Sequence, residues 1–80
     1  MSGIAVARLD ALLRAAFPDA GDLQVIDRTG GGDHFQVIVT SARFDSLPLV
    51  QQHRLVNEAL SQPLSDGTIH ELRIKTRGTA

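Results

Sequence analysis

Three imidazoles, His34, His53 and His70, are the side chains of this chain best suited to chemistry near neutral pH. Neutral imidazole is a borderline-soft metal ligand, so two of them brought together make half of a metal site that a partner can complete. His34 opens the run His34-Phe35-Gln36-Val37-Ile38-Val39-Thr40, and His70 lies near the start of Thr68–Thr76. Both runs alternate as strands do. The helical segment between them is long enough for a right-handed crossover, which makes the two strands parallel if they are neighbours. Their starts then share one edge of the sheet, and His34 and His70 meet there beside a glycine-rich loop. A structural reading of His70 stands beside this one. It shares a strand face with Leu72 and Ile74, where a histidine is commonly half-buried and bonded to a backbone carbonyl.

Other chemistries find little footing. The chain has no cysteine, which removes disulfides, a thiol nucleophile and any thiolate metal site of its own. The carboxylates Asp10, Asp19, Asp22, Asp27, Asp33, Asp45, Glu58, Asp66 and Glu71 are scattered through turns and exposed faces, where they read as solvating. No Ser/His/Asp order with an elbow motif is present. The run Gly30-Gly31-Gly32 leads through Asp33 into a strand, whereas a phosphate loop needs a lysine, a hydroxyl and a helix N-terminus behind the glycines. A net charge of −1 gives no long-range pull on nucleic acid, and only Phe17, Phe35 and Phe44 could stack on bases. No run approaches the ~20 apolar residues of a membrane span, and Met1-Ser2-Gly3 precedes an amphipathic pattern instead of a signal peptide. A cytoplasmic location without a membrane partner is the expectation.

The histidines need a frame. Eighty residues with 42% hydrophobic content support a single domain, 1–80, with one small core. Ala5, Leu9, Leu12, Leu13, Ala16 and Phe17 recur at steps of three and four and predict an amphipathic helix, stopped by Pro18. Leu23–Asp27 reads as a first strand, the glycine run as a flexible link, and residues 34–40 as a second strand with Phe35, Val37 and Val39 on one face. Ser41–Pro48 is a corner with a short helical turn, and Pro48 suits the start of a helix over about 48–61. Its stripe is Leu49, Leu55, Val56, Ala59 and Leu60, with Gln51, Gln52, Arg54 and Glu58 facing out and His53 in a packing role. Pro63 and Ser65-Asp66-Gly67 end it. In the third strand His70, Leu72, Ile74 and Thr76 share one face and Ile69, Glu71, Arg73 and Lys75 the other. Val37, Val39, Leu55, Val56, Leu60, Leu72 and Ile74 should be largely buried, and Arg77–Ala80 should fray.

Three segments, Asp33-His34-Phe35-Gln36-Val37, then Phe44-Asp45 with Leu49-Val50-Gln51-Gln52-His53-Arg54-Leu55-Val56-Asn57, then Ile69-His70-Glu71-Leu72-Arg73-Ile74-Lys75-Thr76, closely resemble the BolA family over roughly residues 8–76. The resemblance implies an α+β, class II K-homology-like fold: a three-stranded mixed sheet with helices on one face, in the order α-β-β-α-α-β. Family members usually continue into a C-terminal helix, which is expected to be short or absent here. In BolA proteins the histidine of the Ile-His segment ligates a 2Fe–2S cluster shared with a monothiol glutaredoxin, which supplies its active-site cysteine and a bound glutathione thiol. His70 matches that position. The fourth ligand comes from the loop between the first two strands, as a cysteine or a histidine. This loop carries no thiol, so the resemblance leaves His34 as the candidate, with Asp33 a poorer fallback because a hard carboxylate suits iron–sulfur chemistry less. Ser46 stands where the family commonly has a glycine.

The implied function is that of a non-enzymatic adaptor in iron–sulfur cluster handling or in iron and redox regulation. Some BolA proteins are described as transcriptional regulators, and K-homology-like folds bind single strands, so DNA is the alternative partner. Arg54, Arg73, Lys75 and Arg77 would carry that binding, with Arg43 extending the strip. Against it, Phe44-Asp45-Ser46-Leu47-Pro48 between the helices lacks the glycine pair of a K-homology clamp, and charges of both signs line the third strand.

Overall fold

Strict alternation in His34–Thr40 buries Phe35, Val37 and Val39 completely, and this strand is the centre of the fold. A computed structural model describes residues 2–80. It contains α1 (Ser2–Ala16), β1 (Asp22–Asp27), β2 (His34–Thr40), a 3-10 turn (Ala42–Phe44), α2 (Leu49–Ala59), α3 (Ser61–Ser65) and β3 (Glu71–Arg77). The sheet order is β1-β2-β3. β1 and β2 are antiparallel, with Val25 opposite Val37. β2 and β3 are parallel, with His34 beside Glu71 and Val37 beside Ile74. The expected α+β class, element order, mixed three-stranded sheet and one-sided helices are all present.

The core lies between the helices and one face of the sheet. Leu9, Leu13 and Phe17 of α1 meet Leu23, Phe35, Val37 and Val39, and Val56, Leu60 and Ile69 close the crossover side. Leu55, Leu72 and Ile74 pack against this cluster but keep partial exposure. Phe44 fills the corner, its ring 5.1 Å from that of Phe17. Among the described residues the one buried polar side chain, Ser41, is satisfied. Its hydroxyl donates to Asp19 and accepts the Arg43 N–H.

Several sequence expectations change. Leu49 and Val50 are 60% and 70% exposed, because the inward position at this end of α2 belongs to Gln52. Expected to face out, Gln52 instead donates to the Leu47 carbonyl at 2.8 Å and accepts from Thr76 Oγ1 at 2.6 Å, tying α2 to the corner and to β3. Pro63 does not end the helix. α2 stops at Ala59, and Pro63 sits buried in the first turn of α3, where its missing N–H leaves no bond unmade. Arg77 does not fray but pairs with Thr40, and its carbonyl accepts the Ser41 N–H. Beyond it the Asp45 carboxylate accepts from Thr79 N, Thr79 Oγ1 and Ala80 N. A Cβ at Gly78 would meet that carboxylate, which would have to shift to admit it. Ser46 adopts a left-handed φ of 66°, the conformation that favours glycine.

The α3–β3 turn is tied to α1 by charge. Asp66 accepts from the Thr68 N–H at 2.9 Å and from Thr68 Oγ1 at 2.6 Å, and Arg8 donates to it at 2.9 Å. The Thr68 bonds, with Arg8 beside them, hold the Asp66 pKa at about 2 against an ordinary 3.8. A lowered folded-state pKa contributes stability above the ordinary value and loses it as pH falls towards the folded one. Acid unfolding followed by circular dichroism should show this limb between about pH 4 and 2, and Asp66→Asn should flatten it. Leu60→Ala, at a position with no exposed surface, should cost about 2–5 kcal/mol in denaturant unfolding. An antiparallel β2–β3 pairing, read from cross-strand amide contacts, would contradict the topology.

Candidate functional site

Parallel register decides which residues meet at the start of β2 and β3. The Asp33 carbonyl accepts the N–H groups of both His70 (2.8 Å) and Glu71 (3.2 Å). Two successive donors on one acceptor make a bulge-like irregularity, and regular alternation begins only at Glu71. Ile69 therefore turns into the core at 5% exposure. His70, which alternation puts on the face of Leu72 and the ligand reading puts exposed at the sheet edge, is turned outward, and its side chain is 64% exposed. The half-buried reading of His70 does not describe this geometry.

His34 and His70 stand together at this edge, their ring centroids 6.4 Å apart and nearly perpendicular. Asp33 lies between them. Its Oδ1 is 2.8 Å from His34 Nδ1 and its Oδ2 is 3.3 Å from His70 Nδ1. The hydrogen bond from His34, aided by the nearness of both rings, holds the Asp33 carboxyl below the usual carboxylate range. Glu71 approaches His34 Nε2 at 3.6 Å and is itself flanked by Arg28 and Arg73, each at 3.7 Å.

The neighbouring glycine loop is shaped from within. The Asp27 carboxylate accepts from Gly30 N (2.9 Å), Gly32 N (3.0 Å) and Thr29 N (3.3 Å), and Thr29 Oγ1 accepts from Gly31 N. Gly30 and Gly32 take φ of 76° and 79°, which a side chain would resist. The N–H groups a phosphate would need are already spent on an internal anion.

Two imidazoles ligating one metal at about 2.0–2.1 Å bring their ring centroids to about 5–6 Å, so a small rotation of the exposed His70 suits this pair to the task. Histidine ligation of iron in a 2Fe–2S centre is known chemistry, as in Rieske proteins. Among the described residues no three His, Asp or Glu side chains are grouped to hold a metal by themselves. Two imidazoles alone are an incomplete donor set, of the kind that ligands from a second molecule can complete.

The remaining candidates do not gather. His53 is half-buried on α2, and Arg54 is exposed on the same helix, on the side of the sheet that carries the core. Arg73, Lys75 and Arg77 occupy alternate exposed positions of β3, on the face the helices leave open. Arg43 lies over the Phe17 ring, 5.2 Å from its centroid. One continuous cationic strip is not formed. Sequence reading treated Asp33 only as a fallback ligand and missed both its central placement and the part of Asp27. An aspartate directly before a histidine, and another opening a glycine run, were the available signals.

Comparison with known proteins agrees with this architecture. The family model for BolA-like proteins matches residues 15–80. Protein RP812 of Rickettsia prowazekii is 34% identical over 73 residues, which is 91% of this chain and 92% of that protein. Human BolA-like protein 3 is 36% identical over 70 residues, 86% of this chain and 64% of the relative. The match spans only 42% of a BolA-like protein of Dictyostelium discoideum and 36% of mouse BolA-like protein 1. Among solved structures, BolA1 from Arabidopsis thaliana superposes with a TM-score of 0.85 at 26% identity, covering 94% of this chain and 92% of that one. Mouse BolA1 gives 0.81 at 34% identity, covering 94% and 65%. By sequence and by fold, the chain belongs to the BolA-like family.

Proposed function

We propose that this chain is a non-enzymatic adaptor that pairs with a monothiol glutaredoxin around a glutathione-assisted 2Fe–2S cluster, acting in cluster handling or in iron and redox regulation. One observation carries the reading: His70 projects from the sheet edge with His34 beside it, and the pair is too few in donors to hold a metal alone. The cluster, when bound, would supply electron-transfer or sensing capacity. This chain's part is to present two imidazole nitrogens to a cluster whose remaining ligands would be the partner's thiolates. His70 and His34 are the residues that would hold it. Asp33 is not proposed as a ligand, since each of its oxygens faces an imidazole. The setting is taken to be cytoplasmic; in the described residues no helix is long and apolar enough to cross a membrane.

DNA binding, the second reading, draws on Arg73, Lys75 and Arg77, with Glu71 on the same strand face and Arg54 on the opposite side of the sheet. A DNA affinity that falls steeply with salt and is lost in a triple Arg73→Ala, Lys75→Ala, Arg77→Ala variant would favour it over the proposal.

The proposal is tested by reconstituting a cluster on a monothiol glutaredoxin with glutathione, then recording absorption and circular dichroism with and without this chain. His70→Ala should abolish the spectrum of the mixed complex while the isolated domain stays folded, because an exposed edge residue contributes little to the core. His34→Ala should change it to the same extent if His34 is the fourth ligand. An unchanged spectrum in His70→Ala would remove the iron–sulfur role assigned to this chain.

A further inference from the structure

We infer that Asp33 is a positioning residue that sets the tautomer and orientation of both imidazoles, leaving their Nε2 atoms as the ligating nitrogens. This rests on the proposed role of His34 and His70 as ligands, but it concerns this chain's own residues before any cluster arrives. The argument begins at the backbone. The Asp33 carbonyl accepts from His70 N and Glu71 N, which fixes the His70 backbone beside residue 33. The Asp33 side chain then faces Nδ1 of each ring, with Oδ1 at 2.8 Å from His34 and Oδ2 at 3.3 Å from His70.

An ionised carboxylate only accepts hydrogen bonds. The 2.8 Å hydrogen bond places the neutral His34 proton on Nδ1. A small rotation of the exposed His70 ring, whose Nδ1 is 3.3 Å from Oδ2, completes the same bond there, so that Nε2 of each ring is left with a free lone pair. This is the carboxylate–histidine arrangement that orients metal-ligating imidazoles and raises their basicity. With that rotation one carboxylate serves two rings, and His34 and His70 act as a unit. Glu71, 3.6 Å from His34 Nε2 and drawn towards Arg28 and Arg73, is the group that a metal would displace from that nitrogen.

Long-range proton–nitrogen correlation spectra of the metal-free chain test this directly, recorded above the titration of both rings. Both histidines should be Nδ1–H tautomers in the wild-type chain and revert to the Nε2–H form in Asp33→Ala, with the backbone amide spectrum otherwise preserved. Asp33→Asn, which can accept from only one ring, should release one histidine and keep the other. An Nε2–H tautomer at either histidine in the wild-type chain overturns the proposal, as does an Nδ1–H form at both that persists in Asp33→Ala. In the glutaredoxin complex, Asp33→Ala should weaken cluster binding by about 10–100-fold, the usual cost of losing such an outer-shell carboxylate. Wild-type tautomers as expected with a cluster indifferent to His70→Ala would overturn the functional reading alone. The reverse pattern would overturn the role of Asp33 alone.

Discussion

Two parallel neighbouring strands cannot be joined by a tight turn, so a chain that pairs β3 with β2 must travel back across the sheet before it re-enters beside the start of β2. In this molecule α2 and α3 make that return, and they must bury an apolar face to do so. Val56, Leu60 and Pro63 fill the space over β2 and β3, and Ile69 pins the chain as it turns back into the sheet. The same crossing brings Asp33 and His34 level with His70 and Glu71. Core packing and site assembly are therefore one event. Anything that loosens the crossover loosens the histidine pair with it.

Carboxylates do much of the local scaffolding. Asp19 receives Ser41 and Ala42 at the corner after β2, Asp27 shapes the glycine loop, Asp45 holds the C-terminal residues and Asp66 closes the turn before β3. Each gathers donors that a turn would otherwise leave to water. Their worth is modest individually, because they are exposed or only half-buried, but together they hold the connections of a domain whose core is small. Asp33 belongs to the same class, with imidazoles in place of most of the amides.

The frame was legible in the sequence because its signals are strong and local. Alternation in residues 34–40, helical spacing in α1 and the length of the crossover were enough to place the elements and, given neighbouring strands, to bring His34 and His70 to one edge. The mixed three-stranded sheet followed from the resemblance to the BolA family. What escaped depended on contacts between distant segments. Alternation alone put His70 inside, since the shared acceptor that shifts the phase before Glu71 belongs to another strand. Helical periodicity put Leu49 inside and Gln52 outside, because it cannot register the carbonyls and the Thr76 hydroxyl that draw a polar side chain inward. The tail seemed free only because Asp45 lies far away in sequence.

The glycine loop has an evolutionary consequence. Its shape is fixed by Asp27 and Thr29 and by two left-handed glycines, without support from the core. Gly31 is the member whose φ is ordinary, and a Cβ added there would meet Thr29 Oγ1 at 3.3 Å and Asp33 Oδ1 at 3.4 Å. A side chain at that position would stand over the carboxylate that faces the two rings. A thiol or a further imidazole there would add a donor atom beside the two rings through one exposed residue, while the sheet and crossover would carry no trace of the exchange.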